Sequence, residues 1–288
     1  MGTHNFFRNS ALILMLLFSF GIPARGLEFD FKLSGGYAWI NAGDVNRGME
    51  SWTEWRKREA EEDKNWLFLE QNVKSLHSGI HMEGEFLISF SPRFGISLGG
   101  GYIYGDLKEK QIEVEIQRVA GPFSQVYPVT LSAYPVVLSA YYFFPLGNDF
   151  QLYIKGGAGM AWAKYVGREA KKFESAGKYN YFRLDRASAQ SPVFQGGVGI
   201  VFKTEIGVRF FCEVLGRSAR IDGFSGENQT EETGMLYYFE EYIPDLDLWL
   251  TKNEIRAEKP AGENFRSVSE AVVDFSGISV KIGFIIRF

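Results

Sequence analysis

Cysteine is nearly missing from this 288-residue sequence, in which Cys212 is the single example. One cysteine cannot form an internal disulfide, so a disulfide-bonded scaffold is excluded. Histidine is also scarce, and none of the three histidines follows His81. The C-terminal two thirds of the chain therefore contain no histidine for a metal site or an acid–base pair.

Long hydrophobic runs are missing after the first 26 residues. No later stretch approaches the roughly eighteen consecutive apolar residues that a transmembrane helix needs, so none is predicted there. Charge of one sign is also not in large excess, because the formal net charge is only -4. This mildly acidic balance argues against a nucleic-acid partner.

The N-terminus has the pattern of an export signal. Ala11–Phe20 is an unbroken apolar run, a short segment with Arg8 precedes it, and a small-x-small motif ends at Gly26. This order is typical of a secretory signal peptide, and the run is too short to span a bilayer as a mature helix. We predict a cleaved signal over residues 1–26 and one exported domain over residues 27–288.

Aromatic residues and glycine are abundant, with 26 Phe, 14 Tyr and 32 Gly. Apolar residues alternate with polar or small ones in eight separate segments, which is the period of a β-strand with two different faces. These segments begin near Leu27, Ile80, Phe94, Val129, Phe150, Phe194, Val208 and Val280. The pattern predicts an all-β fold, a closed antiparallel up-and-down transmembrane barrel of about eight strands with its apolar face towards lipid.

The connections between these segments alternate in length. The long ones cover about 41–76, 106–125, 165–191 and 221–271, and the short ones cover 91–93, 145–149 and a turn near Thr204. Bacterial outer-membrane barrels have long extracellular loops and short periplasmic turns, so we expect both termini on the periplasmic side.

The fourth strand is apolar on both faces and contains Pro135. Proline cannot donate a hydrogen bond to a strand ladder, so we expect a bulge there. The lipid face after it is assigned to Val136, Leu138, Ala140, Tyr142 and Phe144.

The polar faces of the strands carry charges of both signs in nearly equal number. A narrow eight-stranded barrel is filled by side chains, and charges inside it need partners. We predict a structural polar network in the lumen, formed by Glu28, Asp30, Lys32, His81, Glu83, Glu85, Lys155, Arg209, Glu213, Arg217 and Lys281. A metal site or proton relay at His77, His81, Glu83 and Glu85 is the alternative, since these residues share one face of a strand.

The chain ends on a strand whose lipid face is apolar to the last residue, at Val280, Ile282, Phe284, Ile286 and Phe288. With this ending the sequence resembles the small eight-stranded outer-membrane barrels of the OmpA/OmpX type. The resemblance implies that these five residues act as the barrel-assembly signal. It also implies the outer membrane of a Gram-negative-type bacterium, with outer-membrane lipid, lipopolysaccharide and the barrel-assembly machinery as partners.

Two long connections carry unusual composition. Ser51–Asn72 is highly charged and contains three tryptophans, and it predicts a short helix whose tryptophans either cap the barrel mouth or touch lipid headgroups. Gly234–Leu250 is apolar for a loop and either extends the strands above the membrane or forms a partner surface.

No catalytic, cofactor or metal site is predicted. The glycine-rich string Lys155–Trp162 lacks the third glycine of a dinucleotide motif and is followed by strand rather than helix. We expect a non-enzymatic protein with a structural role or a binding role of its extracellular loops. The alternatives are a narrow conduit for a small apolar solute and an enzyme acting on lipid A or peptides, for which only His77 at the rim offers chemistry.

Overall fold

The computed structural model describes residues 27–62, 66–118, 121–173, 179–204 and 207–288. The proposed signal peptide lies outside these residues, so its cleavage stays a prediction.

The described chain is built almost entirely of strands. Its first half contains β1 (Glu28–Trp39), α1 (Asp44–Glu62), β2 (Trp66–Val73), β3 (Ser78–Ser89), β4 (Phe94–Leu107), β5 (Ile112–Arg118), β6 (Gly121–Val126), β7 (Val129–Pro145) and β8 (Phe150–Phe173). Its second half contains β9 (Tyr179–Lys203), β10 (Val208–Ser218), β11 (Arg220–Ile221), β12 (Ser225–Glu227), β13 (Thr233–Ile243), β14 (Leu248–Arg256), β15 (Phe265–Glu270), β16 (Val273–Asp274) and β17 (Gly277–Arg287). Among the described residues, no helix is both long and apolar enough to cross a membrane.

Eight of these strands form a closed ring. The order is β1, β3, β4, β7, β8, β9, β10 and β17, and β17 pairs with β1 again. Every pairing is antiparallel, and at the closing seam Val280 lies opposite Tyr37 while Ile286 lies opposite Phe31. The predicted eight-stranded barrel is confirmed. Closure satisfies the ladder hydrogen bonds that lipid cannot replace. The outer face of the final strand is apolar because it meets lipid.

The outer face of the ring is apolar and bounded by aromatic rings. Phe86, Leu98 and Ile282 are 65%, 58% and 66% exposed. Near one end, the ring centroids of Tyr37 and Trp39 are 4.8 Å apart. Near the other end, Phe94 packs against Tyr142 and Phe150 packs against Phe202. These two girdles mark the two bilayer interfaces, with a span that suits tilted strands of about 9–11 residues.

The expected bulge at Pro135 is wrong. Val136 lies opposite Gly100 and Ala133 lies opposite Ile103, so the register is the same on both sides of the proline. Pro135 also keeps its place opposite Ala161 in β8. The reason is Gly101, since a Cβ there would lie 3.1 Å from the Cγ of Pro135. The glycine leaves room for the ring without an extra residue.

Much of what the sequence assigned to loops is strand. β8 and β9 stay paired as far as Lys172 and Tyr179, so 165–173 and 179–191 form barrel wall above the girdle. β6 then pairs with the top of β8, and β5 and β2 follow in the same sheet. Pairing gives the backbone groups of these long connections their hydrogen bonds.

Two segments that the sequence assigns to long connections also contain strands. The helix expected over Ser51–Asn72 ends at Glu62, and Trp66–Val73 is strand β2. Gly234–Leu250 falls in the hairpin of β13 and β14, which extends the sheet above the membrane through β12 and β9. The first of its two interpretations is therefore confirmed.

The lumen is layered rather than uniformly polar. An apolar cluster fills its periplasmic part, formed by Leu87, Tyr141, Phe143, Tyr153, Val201, Phe211 and Ile285. A larger apolar cluster fills the extracellular part and includes Ile103, Leu131, Val193 and Phe275. Buried charged side chains lie between them.

We expect Leu138→Arg to destabilise the barrel by about 2–4 kcal/mol, because this 51% exposed side chain lies midway between the girdles and an arginine there faces hydrocarbon. The control is Gln190→Arg, which lies opposite Trp162 at the girdle and should cost about 0–1 kcal/mol. Urea unfolding in lipid vesicles measures both. Equal costs would contradict the assignment of the lipid face.

Candidate functional site: the barrel interior and its extracellular cap

Six charged side chains meet in the middle of the lumen. Strand alternation turns Lys32 of β1, Glu83 and Glu85 of β3, Lys155 of β8 and Glu213 of β10 inward, and Lys281 of β17 joins them. Their side chains are at most 5% exposed. We call these three lysines and three glutamates the charged layer.

The charged layer is neutral and fully paired. Lys32 Nζ lies 2.9 Å from a carboxylate oxygen of Glu85 and 2.5 Å from one of Glu213. Lys155 Nζ lies 3.0 Å from Glu85, 3.2 Å from Glu213 and 3.4 Å from Glu83. Lys281 completes the layer by pairing with Glu213 at 2.8 Å and with Glu83. Each glutamate therefore contacts at least two lysines, which offsets the cost of removing the charges from water.

Neutral side chains complete the hydrogen bonding of the carboxylates, and three of them come from strands not yet named. Tyr141 of β7 donates to Glu85 at 2.5 Å, and Ser97 of β4 donates to the same carboxylate at 2.8 Å. Tyr153 of β8 donates to Glu213 at 2.6 Å. Gln195 of β9 donates to Glu83 at 3.2 Å. All eight strands of the ring thus contribute a side chain to one hydrogen-bonded network across the lumen.

Two of the inward glycines lie against large side chains of the neighbouring strand. A Cβ at Gly199 would lie 2.4 Å from the Tyr153 ring, and a Cβ at Gly99 would lie 2.9 Å from Glu85 Cγ. Glycine at these positions gives room to a large side chain of the neighbouring strand. The space that these two glycines save is therefore occupied.

His81 lies just above the charged layer. Its Nδ1 is 3.1 Å from the Ser279 hydroxyl, and Arg217 donates to the same hydroxyl at 3.2 Å and to the Phe275 carbonyl at 2.8 Å. His77 is exposed, so the four residues considered for a metal site do not come together. Within the described residues, no group of three or more His, Cys, Asp or Glu side chains is arranged to hold a metal ion.

A separate cluster closes the periplasmic rim. Arg209 pairs with Asp30 at 2.5 Å, and Arg287 pairs with Glu28 at 2.5 Å and with Asp30 at 3.2 Å. Glu28 is 46% exposed and lies outside the lumen proper. Sequence reasoning missed Arg287, although it shares the inward parity of Lys281.

Helix α1 caps the extracellular mouth. Trp52 Nε1 donates to a Glu169 carboxylate oxygen at 3.0 Å, and Arg56 pairs with the same oxygen at 2.7 Å. The Trp52 ring stacks on Tyr127 with centroids 5.9 Å apart. Of the two roles considered for the loop tryptophans, Trp52 therefore caps the mouth.

A second ion pair joins the cap to the barrel wall. Arg183 of β9 pairs with Glu254 of β14 at 3.0 Å and with Asp185 at 2.7 Å. Burial raises the pKa of Glu254, but Arg183 and the nearby Lys252 lower it by more, so that it lies below its usual value. Glu169, Arg183 and Glu254 were not singled out from the sequence, because they fall in segments assigned to loops.

We expect Glu213→Gln to reduce the free energy of unfolding by about 3–5 kcal/mol, because three buried lysines would then share two carboxylates. The control is Glu213→Gln combined with Lys281→Met, which restores neutrality and should recover part of the loss. Urea unfolding in lipid vesicles compares them. A single variant as stable as the wild type would contradict the proposed network.

We expect the cap to loosen in alkali, since burial raises the pKa of Tyr127 to about 12. The folded state holds this proton more tightly than the unfolded state, so the stabilisation is complete below pH about 10 and is lost as the pH rises to about 12. Trp52 fluorescence, taken as the difference from Trp52→Phe, should report the change. Tyr127→Phe should remove this component, and an unchanged titration in that variant would rule out Tyr127 as its source.

Comparisons with known proteins identify a family model that matches the sequence and two solved structures that are similar to the fold. The family model of the outer membrane protein beta-barrel domain matches residues 10–217. Among solved structures, the chain is similar to the outer membrane protein OprG from Pseudomonas aeruginosa, with 14% identity, a TM-score of 0.37, and coverage of 90% of this chain and 95% of that one.

A second similar structure is Ail, the attachment invasion locus protein of Yersinia pestis, solved in complex with the heparin analogue sucrose octasulfate. The identity is 11%, the TM-score is 0.35, and the match covers 91% of this chain and 99% of that one. The search of curated proteins found no match. Because the family model covers well over half of the chain and the ring has eight strands, the protein belongs to the outer membrane protein beta-barrel domain family.

Proposed function

We propose that this outer-membrane protein has a closed lumen and acts without catalysis, as a membrane anchor that presents a folded binding domain outside the cell. The observation that carries the proposal is the charged layer, to which every strand of the ring contributes. A side-chain network of this kind occupies the path that a solute would take through the lumen. What the molecule offers to partners is then the folded domain beyond the girdle.

Two cavities at the ends of the barrel agree with a closed lumen. One of about 360 Å³ opens at the periplasmic rim and is lined by residues such as Asp30, Phe143 and Arg209. Another of about 230 Å³ lies under α1 at the opposite end. Among the described residues, neither lining includes a member of the charged layer. This favours the anchor over the narrow conduit.

The enzyme alternative has less support. His77 is exposed and His81 is buried in the lumen beside Arg217. The two histidines therefore do not share a surface with one another, and we propose a binding role on that account.

We also propose the partners that the resemblance implied. Outer-membrane lipid and lipopolysaccharide would contact the exposed aromatic and aliphatic band. The barrel-assembly machinery would recognise the lipid-facing residues of β17. Support comes from their exposure, which reaches 66% at Ile282 and 79% at Phe288.

Reconstitution into planar bilayers tests the closed lumen. We expect no stable conductance from the wild type, and no swelling of proteoliposomes in a small neutral sugar, because no continuous water path crosses the charged layer. A general porin reconstituted in parallel is the positive control. A reproducible single-channel conductance of the wild type would overturn the anchor and revive the conduit.

A further inference from the structure

A groove lies on the outer wall of the protein, just above the extracellular girdle. Its volume is about 730 Å³, and it runs across four adjacent strands, β8, β9, β12 and β13. The polar side chains that line it are all exposed at the surface, namely Lys164, Arg186, Ser188, Ser225, Glu227 and Thr233. The groove is therefore open from outside the barrel, and it is separate from the lumen and from the cavity under α1.

Strand register places the groove relative to the membrane. Lys164 is the next outward residue after Trp162 of the girdle on β8, and it lies opposite Ser188 of β9. With about 3.3 Å of rise per residue and a tilt of about 40°, its Cα lies about 5 Å above that of Trp162. Arg186 lies opposite Val166, one outward position higher. The polar layer of a bilayer is about 5–8 Å thick on each side, so the groove starts among the headgroups of the outer leaflet and rises above them.

The two cations of the groove are available to a ligand. Lys164 Nζ lies 5.8 Å from the centroid of the Tyr134 ring, and among the described residues no carboxylate pairs with this lysine. Arg186 lies 3.8 Å from Glu227, and these two side chains are 60% and 52% exposed. An ion pair so long and so exposed contributes little, so a stronger anion displaces it readily.

The corresponding position on β4 carries the opposite charge. Tyr104 belongs to the girdle, with its ring centroid 6.0 Å from that of Tyr102, and the next outward residue is Asp106. Asp106 accepts a hydrogen bond from Thr130 at 2.9 Å. An anion is repelled there and attracted at the groove, so cations above the girdle are a feature of the β8–β9 side and not of the girdle as such.

Hydroxyl groups lie beside the two cations. Ser188 of β9 and Ser225 of β12 are directly opposite each other, and Thr233 of β13 is opposite Glu227. A phosphate monoester carries about -1.5 to -2 charges at pH 7 and three strong acceptor oxygens, so it can bind both cations and several hydroxyls at once. A phosphodiester has one charge and a carboxylate has two oxygens, so each satisfies fewer of these groups.

The position of the groove identifies the source of the phosphate. We propose that the groove binds the phosphorylated headgroup of lipopolysaccharide, with a lipid A phosphate held between Lys164 and Arg186 and the attached sugars along the hydroxyls. The groove is continuous with the lipid-facing band below it, which the acyl chains of the same molecule would cover. Its volume corresponds to roughly 24 waters of liquid, which leaves room for a disaccharide beside the phosphate. The inference rests on the lipopolysaccharide partnership proposed above and names its contact.

Native mass spectrometry of the full-length protein in a neutral detergent tests the proposal, because it counts bound lipids and gives their affinities by titration. The probes are lipid A with both phosphates, the same lipid A after enzymatic removal of both phosphates, and phosphatidylglycerol. We expect one phosphorylated lipid A to bind at a saturable site. The dephosphorylated form and phosphatidylglycerol should bind about tenfold more weakly.

Variants link that preference to the groove. Lys164→Gln and Arg186→Gln should each weaken the binding of phosphorylated lipid A about three- to tenfold and leave that of the dephosphorylated form nearly unchanged. Glu227→Gln should have the opposite effect and tighten binding, since it removes the acid that competes for Arg186. The matched control is Lys108→Gln, which removes an exposed lysine just after β4 that does not line the groove. It should leave the affinity unchanged.

Four results would overturn the headgroup site. They are no binding of lipid A, equal affinity for lipid A with and without its phosphates, equal affinity for phosphatidylglycerol, and binding that Lys164→Gln and Arg186→Gln leave unchanged. Retained heat-modifiability of each variant on a gel shows that its barrel is folded. Loss of the phosphate preference defeats this inference alone, whereas a conducting wild type defeats the closed lumen and leaves the groove untouched.

Discussion

A charge enclosed in a narrow barrel must find its opposite charge on another strand, and most of this structure follows from that constraint. Lys32, Lys155 and Lys281 come from three strands, and the three glutamates that neutralise them come from two others. Because each ion pair joins different strands, the pairs stabilise one register around the ring. A one-residue slip of a single strand would turn its charge into lipid.

The two ends of the protein differ in how much structure they carry, while the charged layer occupies the middle of the lumen. Most of the remaining residues lie on the extracellular side. There β8 and β9 continue past the aromatic girdle, and further strands and a helix pack with them. A rigid wall of this kind supports a positioned cavity better than free loops would.

The transmembrane part was predictable from sequence because lipid imposes alternation on its outer face. Leu98, Leu138 and Ile282 were assigned outward, and Glu83 and Lys281 inward, from period two alone. Above the girdle the outer face meets water and the alternation fades, so the sequence of 165–173 and 179–191 resembles a loop although both segments are strand. For that reason the sequence pattern did not reveal that Glu169 faces inward. Pro135 was misjudged because its opposite residue, Gly101, is known only once the pairing is known.

The charged layer also has a consequence for how the barrel is completed. Lys32 lies on the first strand and Lys281 on the last, and Glu213 contacts both. An open sheet that lacks the β1–β17 seam still places Lys32 opposite Glu85 and Lys281 opposite Glu213. The contact between Lys32 and Glu213 is different, because it crosses the seam and forms only when β1 pairs with β17. The charged layer therefore adds an ion pair to the strand pairing that closes the ring.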